Sequence, residues 1–153
     1  FVFEPQNNLN RLGSLKLTMD NGRMIPLRDL IVLNPGQVLP GLNGGEENVT
    51  AFYAQTYAFV RFLREENYGA RLKSYHNLLL AGLRGNWPLD EAQRRVAADR
   101  SLPLTVAWNA QVSPRLFSMY IDPDIEKIDR EYQNYCSRKV YHIRVRTRED
   151  AAR

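Results

Sequence analysis

The chain has 153 residues, 44% of them hydrophobic and 25% charged, with a net charge of +4. That length suits about one ordinary domain, and the balance of apolar to charged residues excludes global disorder. No apolar run approaches the roughly 20 residues needed to cross a bilayer.

The opening Phe1-Val2-Phe3-Glu4-Pro5 lacks the basic and apolar regions of a signal peptide and has no initiator methionine, so it reads as the continuation of an upstream segment. Acids and bases interleave along most of the chain, as in Arg64-Glu65-Glu66 and Glu126-Lys127-Ile128-Asp129-Arg130-Glu131, the pattern of a solvated face. The one basic concentration is the tail, from Arg138-Lys139 through Arg144, Arg146 and Arg148. No nucleic-acid recognition motif accompanies it, which argues against a nucleic-acid partner. Cys136 stands alone, excluding an internal disulfide and a cysteine-based zinc site.

In chain order, Leu15, Leu17 and Met19 alternate as in a strand, and Asp20-Asn21-Gly22 suits a hairpin turn. Leu9, Leu12, Leu15 and Met19 also share one helical face, with Asn7 or Asn8 as cap and Asn21-Gly22 as stop, and the helix is favoured. A short apolar segment from Pro26 to Leu33 leads to Asn34-Pro35-Gly36 and then Leu39-Pro40-Gly41-Leu42-Asn43-Gly44-Gly45. Such a run of turn residues predicts a connecting loop, and it contains neither phosphate-binding glycine motif.

From Asn48, a cap candidate, the pattern is helical: Phe52, Phe59, Phe62 and Leu63 gather on one side, while Tyr53, Tyr57 and Val60 widen the apolar surface. The stop falls at Asn67-Tyr68-Gly69, and a second helix carries Leu72, Tyr75, Leu79 and Leu83 at heptad-like steps to Gly85-Asn86. Pro88 or Asp90 opens a third helix, with Ala92, Val96 and Ala97 as small buried positions, broken at Ser101-Leu102-Pro103. Leu104 to Val112 reads as a further turn or helix, interrupted at Ser113-Pro114 before the apolar Leu116 to Ile121. Asp122-Pro123-Asp124 caps a last helix carrying Ile125, Ile128, Tyr132 and Tyr135, and the alternation of Tyr141, Ile143 and Val145 fits a short strand or a frayed tail. The expectation is a mainly α, bundle-like unit of about five to six helices with long loops, leaving room for a short strand or hairpin near the termini. Residues 1–153 form a single helical domain, itself read as the C-terminal part of a larger one, with 136–153 as a basic tail.

Chemistry-bearing motifs are sparse. His76 and His142 have no histidine or cysteine at metal-binding spacing, so no metal ligand is assigned within this chain. Cys136 sits late in an amphipathic helix with nothing to lower a thiol pKa and reads as buried and inert. There is no G-x-S-x-G elbow, and the adjacent pairs Glu46-Glu47 and Glu65-Glu66 point apart on a helix, as solubilising charge does.

The segment Tyr53-Ala54-Gln55-Thr56-Tyr57-Ala58-Phe59-Val60-Arg61-Phe62-Leu63 resembles the Tyr-Ala-Gln-Ser-Trp-Ala-Leu-Val-His-Phe-Leu type segment of gluzincin-like domains, the peptidase MA-like family of bacterial proteins. Phe3-Glu4, Pro26-Leu27-Arg28-Asp29-Leu30 and Asp124-Ile125-Glu126-Lys127-Ile128 through Tyr135 resemble further stretches of that family, in the same order. The resemblance implies the C-terminal helical part of a zinc metallopeptidase-like domain. The family's H-E-x-x-H helix is absent, and its third-ligand glutamate would fall just before Phe1, so zinc binding would require an upstream half of the same domain.

Tyr53 is then the candidate catalytic residue, facing the metal and stabilising a developing oxyanion; the plain alternative is that it packs against a neighbouring helix. No cofactor is assigned to this chain itself. The rival function is a non-catalytic helical interaction or structural module that binds a protein or peptide through exposed aromatics and the glycine-rich loop.

Overall fold

The computed structural model describes residues 8–36, 45–102 and 104–152, with backbone alone over 142–151. Phe3-Glu4 and most of the glycine-rich loop, Leu39 to Gly44, lie outside the described residues. Among the described residues there are seven helices and no strand. They are α1 (Leu9–Asp20), α2 (Leu27–Leu30), α3 (Gly45–Gly69), α4 (Leu72–Leu83), α5 (Glu91–Ala98), α6 (Val106–Tyr120) and α7 (Ile125–Ala151).

The choice between strand and helix at the start is settled by burial. Leu15 is fully buried whereas Leu17 is 62% exposed, and a strand would have put both on one face. Asn8 caps α1, its Oδ1 accepting the Arg11 N–H at 3.0 Å. At the other end Gly22 takes φ +64 while Gly22 and Arg23 donate to the carbonyls of Met19 and Thr18, satisfying the last turn. Helix α2 is the Pro26–Leu33 segment, where Pro26 precedes one helical turn that buries Leu27 and Leu30.

Asn48 does not cap α3, because helical backbone already begins at Gly45 and places Asn48 inside the first turn. The helix gives out where expected: Glu66 leaves helical backbone, then Asn67, Tyr68 and Gly69 all take positive φ of 51°, 55° and 75°. Left-handed backbone is cheap for asparagine and glycine, whereas at Tyr68 it costs about 1 kcal/mol or more. The ring at Tyr68 is fully exposed and packs on nothing that would offset this.

Pro114 does not interrupt α6, which runs through it from Val106 to Tyr120. Both Pro114 and Ala110 lie on the exposed side, so the carbonyl orphaned by the missing N–H is open to water, while Val112, Leu116 and Phe117 hold the helix from within. In α5 the small positions are not buried: Ala92 and Ala97 are exposed and Val96 half-exposed. That helix is a peripheral turn set by a full capping box between Asp90 and Gln93, and Leu89 just before it is the buried residue. The stretch containing Tyr141, Ile143 and Val145 is neither strand nor frayed tail but the continuation of α7, whose Cys136 and Val140 are buried. A long helix with a packed first half extends readily, one hydrogen bond per residue, and overrides a short alternation.

The core lies where α1, α2, α3 and α7 meet. Phe62 and Tyr132 are buried at its centre, and Phe59, Phe117 and Tyr135 surround them in stacked and edge-to-face pairs 5.3–6.4 Å apart. A smaller cluster, Leu89, Val112 and Leu116 with Leu78, Trp87, Trp108 and Tyr120, joins α4 to α6. There Gly82 admits the indole of Trp87 against α4, and Trp87 Nε1 donates to the Leu78 carbonyl at 2.9 Å.

Candidate functional site

The 3.6-residue repeat gives α3 two faces. Inward it presents Phe52, Gln55, Phe62 and Leu63 to the core. Outward it aligns Tyr53, Tyr57, Arg61 and Glu65, each one turn from the next. Tyr53 stands at the head of this stripe, 40% exposed, with its ring edge-on to Phe52 at 5.5 Å and the guanidinium of Arg11 5.1 Å from the ring centroid. It thus meets α1 through a cation–π contact while leaving much of its surface to solvent.

Further along the stripe the contacts become a polar network. The hydroxyl of Tyr57 accepts the N–H of Asn8 at 3.0 Å and the guanidinium of Arg61 at 3.2 Å. Arg61 also donates to Glu65 at 2.9 Å, and Glu65 accepts Lys139 at 2.8 Å and the hydroxyl of Tyr135. Partial burial works to raise the Glu65 carboxyl, but the hydrogen bonds from Lys139, Tyr135 and Arg61 outweigh it and hold the group down at about 2. The same contact acts on the other partner: burial first, then the Glu65 hydrogen bond and charge, push the Tyr135 phenol well above its ordinary value.

Glu66 pairs with Arg138, and Arg71 pairs with Glu131 while its guanidinium lies 5.0 Å from the Phe62 ring centroid. Glu65 and Glu66 are both bound to α7 rather than serving as loose solubilising charge, and Glu66 has already left helical backbone. The spacing of Tyr57, Arg61 and Glu65 was the sequence signal for this network. What no spacing revealed is that Tyr135 and Lys139 come from 70 or more residues away to complete it.

Inside the core, Gln55 is the one fully buried polar side chain among the described residues. Its Oε1 accepts the Ile25 N–H at 2.8 Å and its Nε2 donates to the Ile25 carbonyl at 2.9 Å. The hydroxyl of Tyr132 donates to the Gln55 carbonyl at 2.8 Å. Three distant segments are therefore joined through one residue: the Tyr53–Leu63 segment of α3, the chain entering Pro26–Leu30, and α7.

The remaining chemistry-bearing groups do not converge. Among the described residues no three His, Cys, Asp or Glu side chains lie close enough to hold a metal ion, so the donors present do not fit a zinc site. His76 is exposed on α4, and the side chain of His142 lies outside the described residues. Cys136 is fully buried, and that burial pushes its thiol up to about 12. One cleft of about 420 Å³ opens between α5 and α6, with Ala92, Val96, Leu102 and Trp108 among its walls. Another of about 230 Å³ lies between α1 and the start of α3, where Arg23 pairs with Glu47 beside Glu46, Ser14 and Thr18.

No protein-family model matches the chain, and neither a curated protein nor a solved structure does.

Proposed function

We propose that this chain is the C-terminal helical part of a gluzincin-like, zinc-peptidase-type domain, with the zinc ligands outside it. The observation that supports this reading best is the convergence on Gln55. Of the segments that resemble the family in sequence, Tyr53–Leu63 supplies Gln55, whose carboxamide holds Ile25 just ahead of Pro26–Leu30 and whose backbone carbonyl accepts the hydroxyl of Tyr132 in the Asp124–Tyr135 stretch.

On this reading the helices form a wall, and Tyr53 is this chain's contribution to the reaction. Its position one turn ahead of Tyr57, partly exposed and outside the core, leaves the phenol O–H free of internal structure to support. That O–H donates a hydrogen bond to the oxyanion that develops when a peptide carbonyl is attacked. The nucleophile and its activation belong to groups that this chain does not carry.

The test is the gene product read from upstream of Phe1, purified and assayed for zinc and for peptide hydrolysis. The reading expects an H-E-x-x-H helix upstream, bound zinc that the Phe1–Arg153 chain alone does not retain, and a Tyr53→Phe variant whose kcat falls about 100- to 1000-fold with KM little changed. An upstream region without those ligands, or one that binds no zinc and cleaves nothing, would overturn it in favour of a non-catalytic helical module.

A further inference from the structure

Helix α4 is apolar in composition yet contributes no buried residue. The helical repeat places Leu72, Leu79, Leu80 and Leu83 within a sector of about 100° on its outer side. Leu83 is 85% exposed and the neighbouring Leu79 and Leu80 are more than two-fifths exposed, while Tyr68 projects fully into solvent just before the helix. His76 lies on the same side and is exposed. Lys73 and Arg84 run along one margin of the leucine sector, about 16 Å apart, and both are exposed. From Asn67 to Leu89 there is no Asp or Glu at all.

This arrangement discriminates between occupants. A second copy is disfavoured by charge: antiparallel pairing centred between Leu78 and Leu79 sets Lys73 against Arg84 of the other copy, and parallel pairing sets each cation against itself. None of the α4 leucines lines the cleft between α5 and α6 or the one between α1 and α3, so they offer a protruding apolar row and no pocket for a single inserted side chain. A flat, negatively charged lipid surface meets both requirements, taking protruding leucines at the headgroup boundary and cations beside the phosphates. Tyr68 adds an aromatic with a polar tip, the side chain best suited to that boundary.

We propose that α4, with Tyr68, is a shallow contact for an anionic phospholipid surface, on which the protein lies without spanning. No described helix is long and apolar enough to cross a membrane, and adsorption of this kind does not require one. The proposal is independent of any peptidase activity.

The experiment is co-sedimentation of the Phe1–Arg153 protein with phosphatidylcholine vesicles and with phosphatidylcholine/phosphatidylglycerol vesicles. The expected result is binding to the mixed vesicles only, weakened about tenfold or more by Leu80→Gln/Leu83→Gln and likewise by Lys73→Glu/Arg84→Glu. All four positions are exposed, and unchanged thermal melts would show that the fold is intact. Arg144→Gln/Arg146→Gln/Arg148→Gln in the basic tail should retain the binding. Absence of binding by the unaltered protein, equal binding to both vesicle types, or binding that survives both α4 variants and disappears with the tail variant would each overturn the proposal. So would capture of an acidic peptide by α4 without any vesicle binding.

Discussion

The carboxamide of Gln55 closes on both backbone groups of Ile25, accepting its N–H at 2.8 Å and donating to its carbonyl at 2.9 Å. The pair does what a strand partner would do for Ile25, but from the middle of a helix. It ties the chain ahead of α2 to the centre of α3.

Replacing Gln55 with Leu should therefore destabilise the protein although the new side chain is apolar and of similar size. Two backbone groups of the partly buried Ile25 lose their partners, at about 1–3 kcal/mol each. A net loss of about 3 kcal/mol corresponds to a fall in Tm of roughly 6–12 °C for a domain of this size. Thermal denaturation followed by circular dichroism measures it; an unchanged Tm would mean that Ile25 finds other partners.

Glu65 links stability to pH. Its carboxyl lies at about 2 in the folded chain against an ordinary 4.5. A depressed carboxyl stabilises the fold fully above the ordinary value, and the contribution drains away as pH falls toward the folded one. Glu65→Gln should be less stable than the unaltered protein at neutral pH, and the gap should close between about pH 5 and pH 2. Urea unfolding across that range tests this, and a gap independent of pH would remove the charge from the explanation.

Gly82 reverses an ordinary rule. Alanine for glycine inside a helix normally gains about 1 kcal/mol. Here a Cβ would come within 2.6 Å of the Trp87 ring, and moving the indole breaks its hydrogen bond to the Leu78 carbonyl. Gly82→Ala should lose about 1–3 kcal/mol and shift tryptophan fluorescence to the red as Trp87 is displaced. A stabilised Gly82→Ala protein would contradict the packing described.

Cys136 should resist alkylation. Burial pushes its thiol up to about 12, from an ordinary 9. The thiolate fraction alone is then about a thousandfold smaller at pH 8 than for a free thiol. Iodoacetamide labelling should be slow in native conditions and fast in denaturant, as mass spectrometry would register; equal rates would place the thiol at the surface.

Much of the architecture was legible locally. Asn8, Asp90 and the Asp122-Pro123-Asp124 run announce helix starts, and Asn21-Gly22, Gly69 and Gly85 announce stops, because capping and left-handed backbone are decided by neighbouring residues. Where local rules failed, tertiary packing had overruled them. Pro114 stays helical because Val112, Leu116 and Phe117 are held in the interior on either side of it. The alternation at Tyr141 to Val145 is absorbed into a helix anchored further back by Ile128, Tyr132 and Val140. Ala92 and Ala97 carry the size of buried residues but sit on a helix with little to pack against.

What the sequence by itself determined was the helical class, the positions of most helix ends, and the apolar side of α3 that carries Phe52, Phe62 and Leu63. Each of these depends on residues within a turn or two of one another. Only the tertiary structure decided that Gln55 would bind Ile25 and Tyr132, that Glu65 would gather Tyr135 and Lys139 from α7, and that Leu79, Leu80 and Leu83 of α4 would be left outside the core. The physical reason is that a buried hydrogen bond or an uncovered apolar face depends on which helix lies opposite. That partner lies tens of residues away along the chain, beyond the reach of local periodicity.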